Sequence, residues 1–460
     1  MNKRFTQVPE YADYTYLKST ERLLGKKLYT VTLGCQQNEA DSERIKGMLH
    51  SLGAADTDTP ENADIIIVNT CAVREHAELK ALSILGKFKA IKQERPELIV
   101  GVVGCMAAEE ARREQIKKSF RHVDFTIEPG LLHTLPSLVL GALQHAGRRF
   151  AVSDGTWDVV EDIPVYRNST FKAWVSIMYG CNNFCTYCIV PYVRGRERSR
   201  ESAAVIAECK ELIKDGVKEI TLLGQNVNSY RSDMDFADLI SAIAELDGDF
   251  IIRFMTSHPK DVSPRLIEAI RRHSGKIAPH FHLPLQSGSD RILKSMNRTY
   301  TKEKYLSTVK ALREAVPDIS LTTDIIVGFP GESDEDFEET MQILRSVKFD
   351  AVFSFIYSKR TGTVAAKMTD TVPRADADKR MATLLSEQTE ISLEKNLPFV
   401  GKTVRVLVEG LSKKDDGTYS ARTPEGKLVH FSSDKDYTGQ FKFVKIERAG
   451  AFALIGSEII

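Results

Sequence analysis

Three cysteines fall within eight residues of one another, at Cys181, Cys185 and Cys188, in the spacing C-x3-C-x2-C. Three thiolates from one loop can bind three irons of a [4Fe–4S] cluster and leave the fourth iron without a protein ligand. A cluster that takes part in catalysis needs such an open position. Zinc is the alternative, because C-x2-C fragments also bind zinc, but zinc usually needs a second ligand pair, and the nearby sequence has none.

Three further cysteines recur along the first part of the chain. Cys35, Cys71 and Cys105 are 36 and 34 residues apart, and each follows an apolar run that is typical of a buried strand, at 27–33, 65–69 and 99–103. The carboxyl ends of parallel strands share one edge of a sheet, so we expect the three thiols to converge there. They would form a second three-cysteine site with an open iron. The seventh cysteine, Cys209, is typical of a core thiol.

The elements that position these cysteines follow an α/β pattern. Strand and helix patterns alternate from residue 27, which predicts a parallel sheet with right-handed crossovers. Alternation resumes at 172, with strands expected at 173–178, 219–223, 251–256, 281–285, 321–327 and 352–357. Six such units favour a partial barrel, although an eight-stranded barrel or a doubly wound sheet stays possible. Five short strand patterns after residue 400 predict a small antiparallel β-barrel.

These patterns divide the chain into five segments. We expect an N-terminal extension at 1–26, a first α/β domain at 27–144, a linker at 145–170, the barrel core at 171–397 and the small β-barrel at 398–460.

The composition excludes several classes of protein. Of the 460 residues, 42% are apolar and 27% are charged, which is ordinary for globular domains and excludes collagen-like, disordered and disulfide-scaffold classes. Lys and Arg number 63 and Asp and Glu number 63, so any nucleic-acid site must be local. No apolar run approaches the roughly 20 residues of a membrane helix, and no signal peptide is evident, so we expect a soluble cytoplasmic protein.

The cysteine loop resembles that of the radical S-adenosylmethionine (SAM) superfamily. With the second cysteine triad and the small C-terminal barrel, residues 27–460 resemble the methylthiotransferase family. The resemblance implies an N-terminal domain for an auxiliary cluster, a partial (βα)6 radical SAM core, a TRAM domain and two [4Fe–4S] clusters. It also implies that SAM serves both as methyl donor and as radical source, and that the two open irons face one cavity.

The residues around the cysteines indicate the branch of this family. The segments 33–38 (LGCQQN), 69–75 (NTCAVRE), 104–107 (GCMA) and 186–200 resemble enzymes that methylthiolate carbon 2 of isopentenyladenosine at position 37 of tRNA. Gln37 is a departure from that branch, whose members often have Met at this position. The branches that act on threonylcarbamoyladenosine or on a ribosomal protein are alternatives, and an iron–sulfur RNA-binding protein without catalysis is an alternative of another class.

The resemblance also implies partners and SAM contacts. The partners are a tRNA anticodon stem-loop carrying isopentenyladenosine, a reductant such as flavodoxin or ferredoxin, and a sulfur donor that the sequence does not identify. The expected SAM-binding residues are Tyr187, Gln225, Arg194, Arg196 and Gly328. Arg198 and Arg200 extend the arginine strip, whose members would meet the SAM carboxylate or RNA phosphates. No catalytic residue beyond the six cysteine ligands is assigned.

Overall fold

The computed structural model describes residues 22–72, 75–153, 157, 159–412 and 417–459, so the expected N-terminal extension lies almost wholly outside the described residues. The chain forms two compact units. The first comprises the chain up to Asn168 together with Met178–Asn182 and Cys188–Arg200. The second comprises Ser169–Ile177, Asn183–Tyr187 and the chain from Glu201 onward.

The elements up to residue 200 are the following. The strands are β1 (Lys27–Thr32), β2 (Ala55–Asp56), β3 (Ile65–Thr70), β4 (Ile99–Gly104), β5 (Phe125–Ile127), β6 (Arg149–Ala151), β7 (Lys172–Ser176), β8 (Met178–Tyr179) and β9 (Arg198–Ser199). The α-helices are α1 (Gln36–His50), α2 (Glu75–Glu94), α3 (Cys105–Ala108), α4 (Glu110–Ser119), α5 (Leu135–Leu143) and α6 (Val190–Val193). Short 3-10 turns occupy Pro60–Asn62 and Pro129–Thr134.

The elements after residue 200 complete the second unit. The strands are β10 (Glu219–Leu223), β11 (Ile251–Phe254), β12 (His280–His282), β13 (Ser320–Val327), β14 (Ala351–Ile356), β15 (Thr403–Leu411), β16 (Thr418–Arg422), β17 (Leu428–Ser432), β18 (Phe441–Ala449) and β19 (Leu454–Glu458). The α-helices are α7 (Ser202–Lys214), α8 (Phe236–Ala244), α9 (Pro264–Arg272), α10 (Asp290–Ser295), α11 (Lys302–Ala315), α12 (Asp334–Val347) and α13 (Arg374–Asn396). Further 3-10 turns occupy Val227–Ser229, Pro259–Asp261, Ala365–Lys367 and Leu397–Phe399.

The first unit is a parallel sheet with helices on both faces. Its strand order is β2-β1-β3-β4-β5-β6. Every residue of β3 is buried, as expected of a parallel strand covered on both sides. Ile65 and Ile67 pack into the cluster that includes α1 and α5, whereas Ile66 and Val68 pack into the cluster that includes α2 and α4. The alternation therefore anchors the central strand in two hydrophobic cores.

Three strands of this sheet were predicted from the sequence, and three short ones were not. The strands β2, β5 and β6 have only two or three residues each, too few to show a period. The strand β6 also lies within the segment predicted as a linker, so that prediction was wrong for Arg149–Ala151, which pair with β5 as the edge of the sheet.

The second unit begins with six parallel strands followed by helices. They form two sheets of three, β11-β10-β7 and β12-β13-β14. This confirms the expected α/β core of six strand–helix units. The expected strand at 281–285 is shorter and earlier, at His280–His282. Pro284 explains the early end, because proline has no backbone N–H with which to extend a ladder.

Five strands near the C-terminus close into the expected small barrel, in the order β15-β16-β17-β19-β18. Four of the five pairings are antiparallel, and β17 pairs with β19 in parallel, which the expectation of a purely antiparallel barrel did not include. Buried side chains such as Val406, Phe431 and Ile446 fill the interior.

The small barrel docks on the amino ends of the parallel strands of the second unit. The Lys172 ammonium at the start of β7 pairs with Glu409, and Lys427 pairs with Asp350, just before β14, at 2.6 Å. Arg253 in β11 donates to the carbonyl oxygens of Thr423 and Pro424. The cysteine loop instead follows the carboxyl end of β7, the end at which barrel active sites form. Among the described residues, no helix is both long enough and apolar enough to cross a bilayer.

Candidate active site

The three N-terminal cysteines lie at one edge of the first sheet, as predicted. Cys71 directly follows β3, Cys105 directly follows β4, and Cys35 lies just beyond β1 as the N-cap of α1. These strands are neighbours in the sheet. Cys71 and Cys105 are buried and Cys35 is exposed. Burial raises the pKa of Cys105, and negative charge on Cys71 or Cys35 would raise it further.

Two glycines allow the chain to turn tightly at this edge. Gly34 has a φ of +121°, and a Cβ there would lie 2.5 Å from the Cβ of Cys71. Gly104 has a φ of +95°, and a Cβ there would lie 2.5 Å from the Thr70 carbonyl oxygen. Side chains at either position would be strained and would clash, so glycine is required for the thiols to come together.

Asparagine side chains hold the loops that carry these thiols. Asn38 Nδ2 donates to the carbonyl oxygens of Leu33 and Thr70, at 2.7 and 2.9 Å. Asn69 Nδ2 donates to the carbonyl oxygen of Asn38 at 2.8 Å. These buried bonds join the end of β1 to the end of β3, so they fix the spacing between Cys35 and Cys71.

A buried guanidinium contacts the third thiol. Arg194 Nε lies 3.2 Å from the Cys105 Sγ, and its Nη2 donates to Asn38 Oδ1 at 2.7 Å and to Asp41 Oδ2 at 2.9 Å. Burial raises the pKa of the Cys105 thiol to about 12, and the positive charge of Arg194 only partly opposes it. Arg194 was predicted to contact SAM or RNA phosphates, but its described partners are Cys105, Asn38 and Asp41.

The loop with the other three cysteines starts from a constrained turn. Gly180 has a φ of +73°, and a Cβ there would lie 2.1 Å from the Arg196 carbonyl oxygen. The Cys181 amide donates to the Gly195 carbonyl at 3.0 Å. Cys181 is buried and Cys188 is half-buried, and both belong to the first unit.

Cys185 is buried within the second unit and also contacts a buried arginine. Arg298 Nη1 lies 3.5 Å from the Cys185 Sγ, its Nε donates to the Tyr300 hydroxyl oxygen at 3.1 Å, and its Nη2 donates to the Pro284 carbonyl at 2.8 Å. Sequence reasoning missed Arg298, which is 113 residues from the cysteine it contacts. Its sequence context carries no signal of that contact.

Two of the predicted SAM-binding residues come together in the second unit. Tyr187 packs edge-to-face on Phe329, with ring centroids 6.4 Å apart, and it borders the apolar cluster that includes Ile326 and Met296. Gly328 directly precedes Phe329, and its amide donates to Glu332 Oε2 at 2.7 Å. The turn after β13 is therefore held rigid beside Tyr187.

The other two predicted SAM contacts occupy different settings. Gln225 is half-buried in the turn after β10, at the carboxyl end of that strand, as is Gly328 after β13. Arg196 is exposed, between Gly195 and β9 in the first unit. Gln225 thus shares the strand-end position expected of a SAM contact.

The side chains proposed to hold a cofactor are all thiols, which are the ligands of iron–sulfur clusters. Among the described residues, no three Cys, His, Asp or Glu side chains converge as ligands of one metal ion. Thiolates that bind a [4Fe–4S] cube each bind a different iron, so they need only line a shared space. Two groups of three cysteines match such clusters in ligand type and in number.

Family models and relatives agree with this arrangement. The chain matches the Radical SAM superfamily over residues 175–344, the Uncharacterized protein family UPF0004 over 27–128 and the TRAM domain over 399–458. A protein of Thermoanaerobacter pseudethanolicus named tRNA-2-methylthio-N(6)-dimethylallyladenosine synthase is 47% identical, over 97% of this chain and 98% of its own length. A protein of the same name from Acetivibrio thermocellus is 49% identical, over 94% of this chain and 91% of its own length.

The chain belongs to the family of tRNA-2-methylthio-N(6)-dimethylallyladenosine synthases. Members of this family are radical SAM methylthiotransferases, so the chain is an enzyme that uses SAM and a [4Fe–4S] cluster. The family agrees with the branch that the residues around the cysteines indicated, and not with the threonylcarbamoyladenosine or ribosomal-protein branches.

Solved structures support the fold of this synthase family. The radical SAM methyltransferase TsrM from Kitasatospora setae, with cobalamin and a [4Fe–4S] cluster bound, superposes with a TM-score of 0.55 at 14% identity, over 75% of this chain and 74% of that one. The same protein with tryptophan and a SAM analogue bound superposes with a TM-score of 0.52 at 13% sequence identity, over 72% of this chain and 73% of that one. At such low identity, the likeness concerns the fold alone.

Proposed function

We propose that this protein adds a methylthio group to carbon 2 of N6-dimethylallyladenosine, also called isopentenyladenosine, at position 37 of tRNA. The observation that carries this proposal is the 47% identity to a synthase of that name over nearly the full length of both chains. An anticodon-loop base is already unpaired, so little free energy is needed to expose it to the enzyme.

The loop cysteines Cys181, Cys185 and Cys188 would hold the [4Fe–4S] cluster whose open iron binds SAM. When bound, this cluster supplies the electron that cleaves SAM into methionine and a 5′-deoxyadenosyl radical. Tyr187, Gln225 and Gly328 lie on turns of the second unit and would position SAM. Arg196 would contact its carboxylate, and Arg194 is the weaker candidate for that contact because it already binds Cys105 and Asp41.

The N-terminal cysteines Cys35, Cys71 and Cys105 would hold a second [4Fe–4S] cluster, whose open iron supplies the site for the sulfur that is transferred. Asn38 and Asn69 keep the loops in place, and Arg194 would offset the negative charge of a thiolate at the buried Cys105.

The partners follow from the same chemistry. The substrate is a tRNA anticodon stem-loop that carries isopentenyladenosine, which places the reaction in the cytoplasm. The TRAM domain would bind the RNA by shape and local contacts. A one-electron donor such as flavodoxin or ferredoxin, and a sulfur donor, must complete each turnover.

The test is a reconstituted reaction with tRNA that carries isopentenyladenosine, followed by mass spectrometry of its nucleosides. The intact protein and Cys209→Ala, the matched control outside both triads, should form the methylthio nucleoside. Cys185→Ala should form neither this product nor 5′-deoxyadenosine. Cys71→Ala should still cleave SAM but form no product, because the sulfur site is lost.

Three other results would contradict the proposal. Product only in tRNA with threonylcarbamoyladenosine, or only in ribosomal peptides, would assign the chain to another substrate. Absence of 5′-deoxyadenosine from the fully loaded protein would identify a non-catalytic iron–sulfur RNA-binding protein. Folding of each variant is checked by circular dichroism, because metal binding and folding are coupled.

A further inference from the structure

One face of β13 in the second unit carries both polar and apolar side chains. Residues alternate between the two faces of a strand, so Thr322, Asp324 and Ile326 share a face. Ile326 belongs to the apolar cluster against which Tyr187 of the cysteine loop packs. Asp324 precedes Ile326 by two residues, or about 7 Å along the strand. The face that carries Asp324 therefore borders a residue that is proposed to contact SAM.

A chain of side chains orients the Asp324 carboxylate. His282 Nε2 lies 3.5 Å from Asp324 Oδ2, and His282 Nδ1 lies 3.0 Å from the Thr322 hydroxyl oxygen. That hydroxyl oxygen also lies 3.1 Å from His280 Nε2. A hydroxyl has one proton, and the arrangement in which it accepts from His280 and donates to His282 directs the second N–H of His282 at the carboxylate. Asp324 is then the acceptor at the end of the chain.

An aromatic ring lies beside this carboxylate. Phe353 on β14 is the register partner of Asp324, so the two side chains share a face and belong to strands about 4.8 Å apart. The Phe353 ring packs edge-to-face with His282, with ring centroids 5.7 Å apart. Phe353 nevertheless remains 47% exposed. A ligand that reaches Asp324 can therefore also bury apolar surface on Phe353.

The target base has the complementary pair of groups. In N6-dimethylallyladenosine, nitrogen 6 carries a single N–H and a branched hydrocarbon chain. A carboxylate is a strong acceptor for an N–H, and burial of hydrocarbon on an aromatic ring is favourable. In threonylcarbamoyladenosine the group on the same nitrogen ends in a carboxylate, which Asp324 would repel. The pair Asp324 and Phe353 thus favours the first base over the second.

We propose that Asp324 and Phe353 form the subsite for the N6 side of the target adenine. Asp324 accepts the hydrogen bond of the N6 amine, Phe353 packs against the dimethylallyl chain, and His282 positions the carboxylate. The proposal rests on the proposed function, which supplies this base. The distance of about 7 Å between Asp324 and Ile326 is comparable to the length of a purine, so a base held at Asp324 can reach the region next to Tyr187.

The first test compares the affinities of the cluster-loaded protein for two anticodon stem-loops that differ only in the dimethylallyl group. The intact protein should bind the modified stem-loop more tightly. Phe353→Ala should reduce this preference about tenfold, because it removes the apolar contact with the chain, and should leave the affinity for the unmodified stem-loop unchanged. Phe353→Leu should keep part of the preference. Leu385→Ala is the matched control, because Leu385 is an apolar residue of the second unit with a similar exposure of 49%, and it should change neither affinity.

The second test uses a stem-loop that carries threonylcarbamoyladenosine. Asp324→Asn should bind this RNA more tightly than the intact protein does, because the repulsion between carboxylates is removed. The same variant should bind the dimethylallyl stem-loop more weakly, because an amide oxygen is a weaker acceptor than a carboxylate. Asp318→Asn makes the same change at an exposed aspartate before β13 and should alter neither affinity. Cleavage of SAM without RNA should persist in every variant, which checks that the loaded core is folded.

The outcomes separate the subsite from the proposed function. Equal losses of affinity for the modified and unmodified stem-loops in Phe353→Ala would show a structural role and overturn the subsite. An intact protein that forms the methylthio nucleoside but has no preference for the dimethylallyl group would also overturn it, as would variants that keep the intact preferences. If the intact protein forms no methylthio nucleoside in tRNA that carries isopentenyladenosine, the proposed function itself fails.

Discussion

The Nε of Arg194 lies 3.2 Å from the Sγ of Cys105, and the Nη1 of Arg298 lies 3.5 Å from the Sγ of Cys185. Each of the two proposed cluster sites therefore has one cysteine in contact with a buried guanidinium. Hydrogen bonds and positive charge at a ligand sulfur favour the reduced form of an iron–sulfur cluster. If each triad holds the proposed cluster, the two arginines are placed to set the two reduction potentials separately.

Replacing either arginine should lower the reduction potential of one cluster only. Arg194→Gln should make the N-terminal cluster harder to reduce, and Arg298→Gln should do so for the loop cluster, because each loses the charge that stabilises the added electron. A tenfold change in the ratio of oxidised to reduced cluster corresponds to about 59 mV. Potentiometric titration followed by electron paramagnetic resonance measures this, with the other triad replaced by alanine so that one cluster remains.

The lysine variants are the controls for this experiment. Arg194→Lys and Arg298→Lys keep the charge but lose the fork of donors, so each should restore part of the potential. Equal shifts of both clusters in either glutamine variant would show a general loss of structure rather than a local effect.

Iron content should separate the two sites. If both triads bind [4Fe–4S], the reconstituted protein holds about eight irons, by cluster stoichiometry. Replacing the three loop cysteines by alanine should leave about four, and replacing the three N-terminal cysteines should also leave about four. Iron and acid-labile sulfide analysis measures this, with Cys209→Ala as the control that keeps about eight. An unchanged iron count in either triple variant would remove that triad from the ligand set.

The contact between Arg253 and the TRAM barrel should be strongly stabilising. Arg253 Nε pairs with Glu219 at 2.6 Å, and its terminal nitrogens donate to the Thr423 and Pro424 carbonyls at 2.8 and 2.7 Å. Arg253→Ala leaves these buried acceptors without their donor, so the free energy of unfolding should fall by about 3 kcal/mol. Chemical denaturation measures this.

Arg265→Ala, which removes an exposed and ion-paired arginine, serves as the control and should change the stability by less than about 0.5 kcal/mol.

The contacts between Arg253 and the TRAM barrel also affect what a truncation at residue 400 would do. Removing the TRAM barrel takes away the partners of Arg253 and of Asp350, so the truncated protein should be destabilised as well as weakened in RNA binding. Point variants on the barrel surface are therefore the cleaner test of RNA binding.

The stability of the second unit should fall in acid partly through Asp336. This carboxylate caps α12 within a capping box with Ser333 and also accepts from Arg291 and Ser289. Burial alone would raise its pKa, but these hydrogen bonds outweigh burial and lower the pKa from 3.8 to about 2. A group whose pKa is lower in the folded state stabilises the protein above its unfolded pKa and loses that contribution as the pH falls through the folded value.

Asp336→Asn should therefore be less stable than the intact protein at neutral pH, and the difference should shrink between about pH 4 and about pH 2. Urea unfolding at a series of pH values measures it. A constant difference across that range would show that the charge on Asp336 is not the stabilising element.

The parts of the site that were predictable are those encoded within one strand–helix unit. Cys71 and Cys105 end apolar runs, and parallel pairing brings such ends to one edge, so the N-terminal site followed from a spacing of 36 and 34 residues. The contacts of Arg194 and Arg298 span 89 and 113 residues, and no periodicity relates residues so far apart. The short strands β2, β5 and β6 were not predicted for another reason. Two or three residues are too few to show the alternation of apolar and polar side chains that marks a strand.

The position of the N-terminal cysteines at three strand ends has a consequence for how the protein matures. The loop cysteines lie within eight residues, so they can capture iron from a chain that has not yet folded. Cys35, Cys71 and Cys105 meet only after β1, β3 and β4 have paired, which closes two long chain segments. Delivery of the proposed second cluster would therefore take place on an already folded sheet, at the edge where Cys35 is exposed, and its carrier would recognise native structure rather than a nascent peptide.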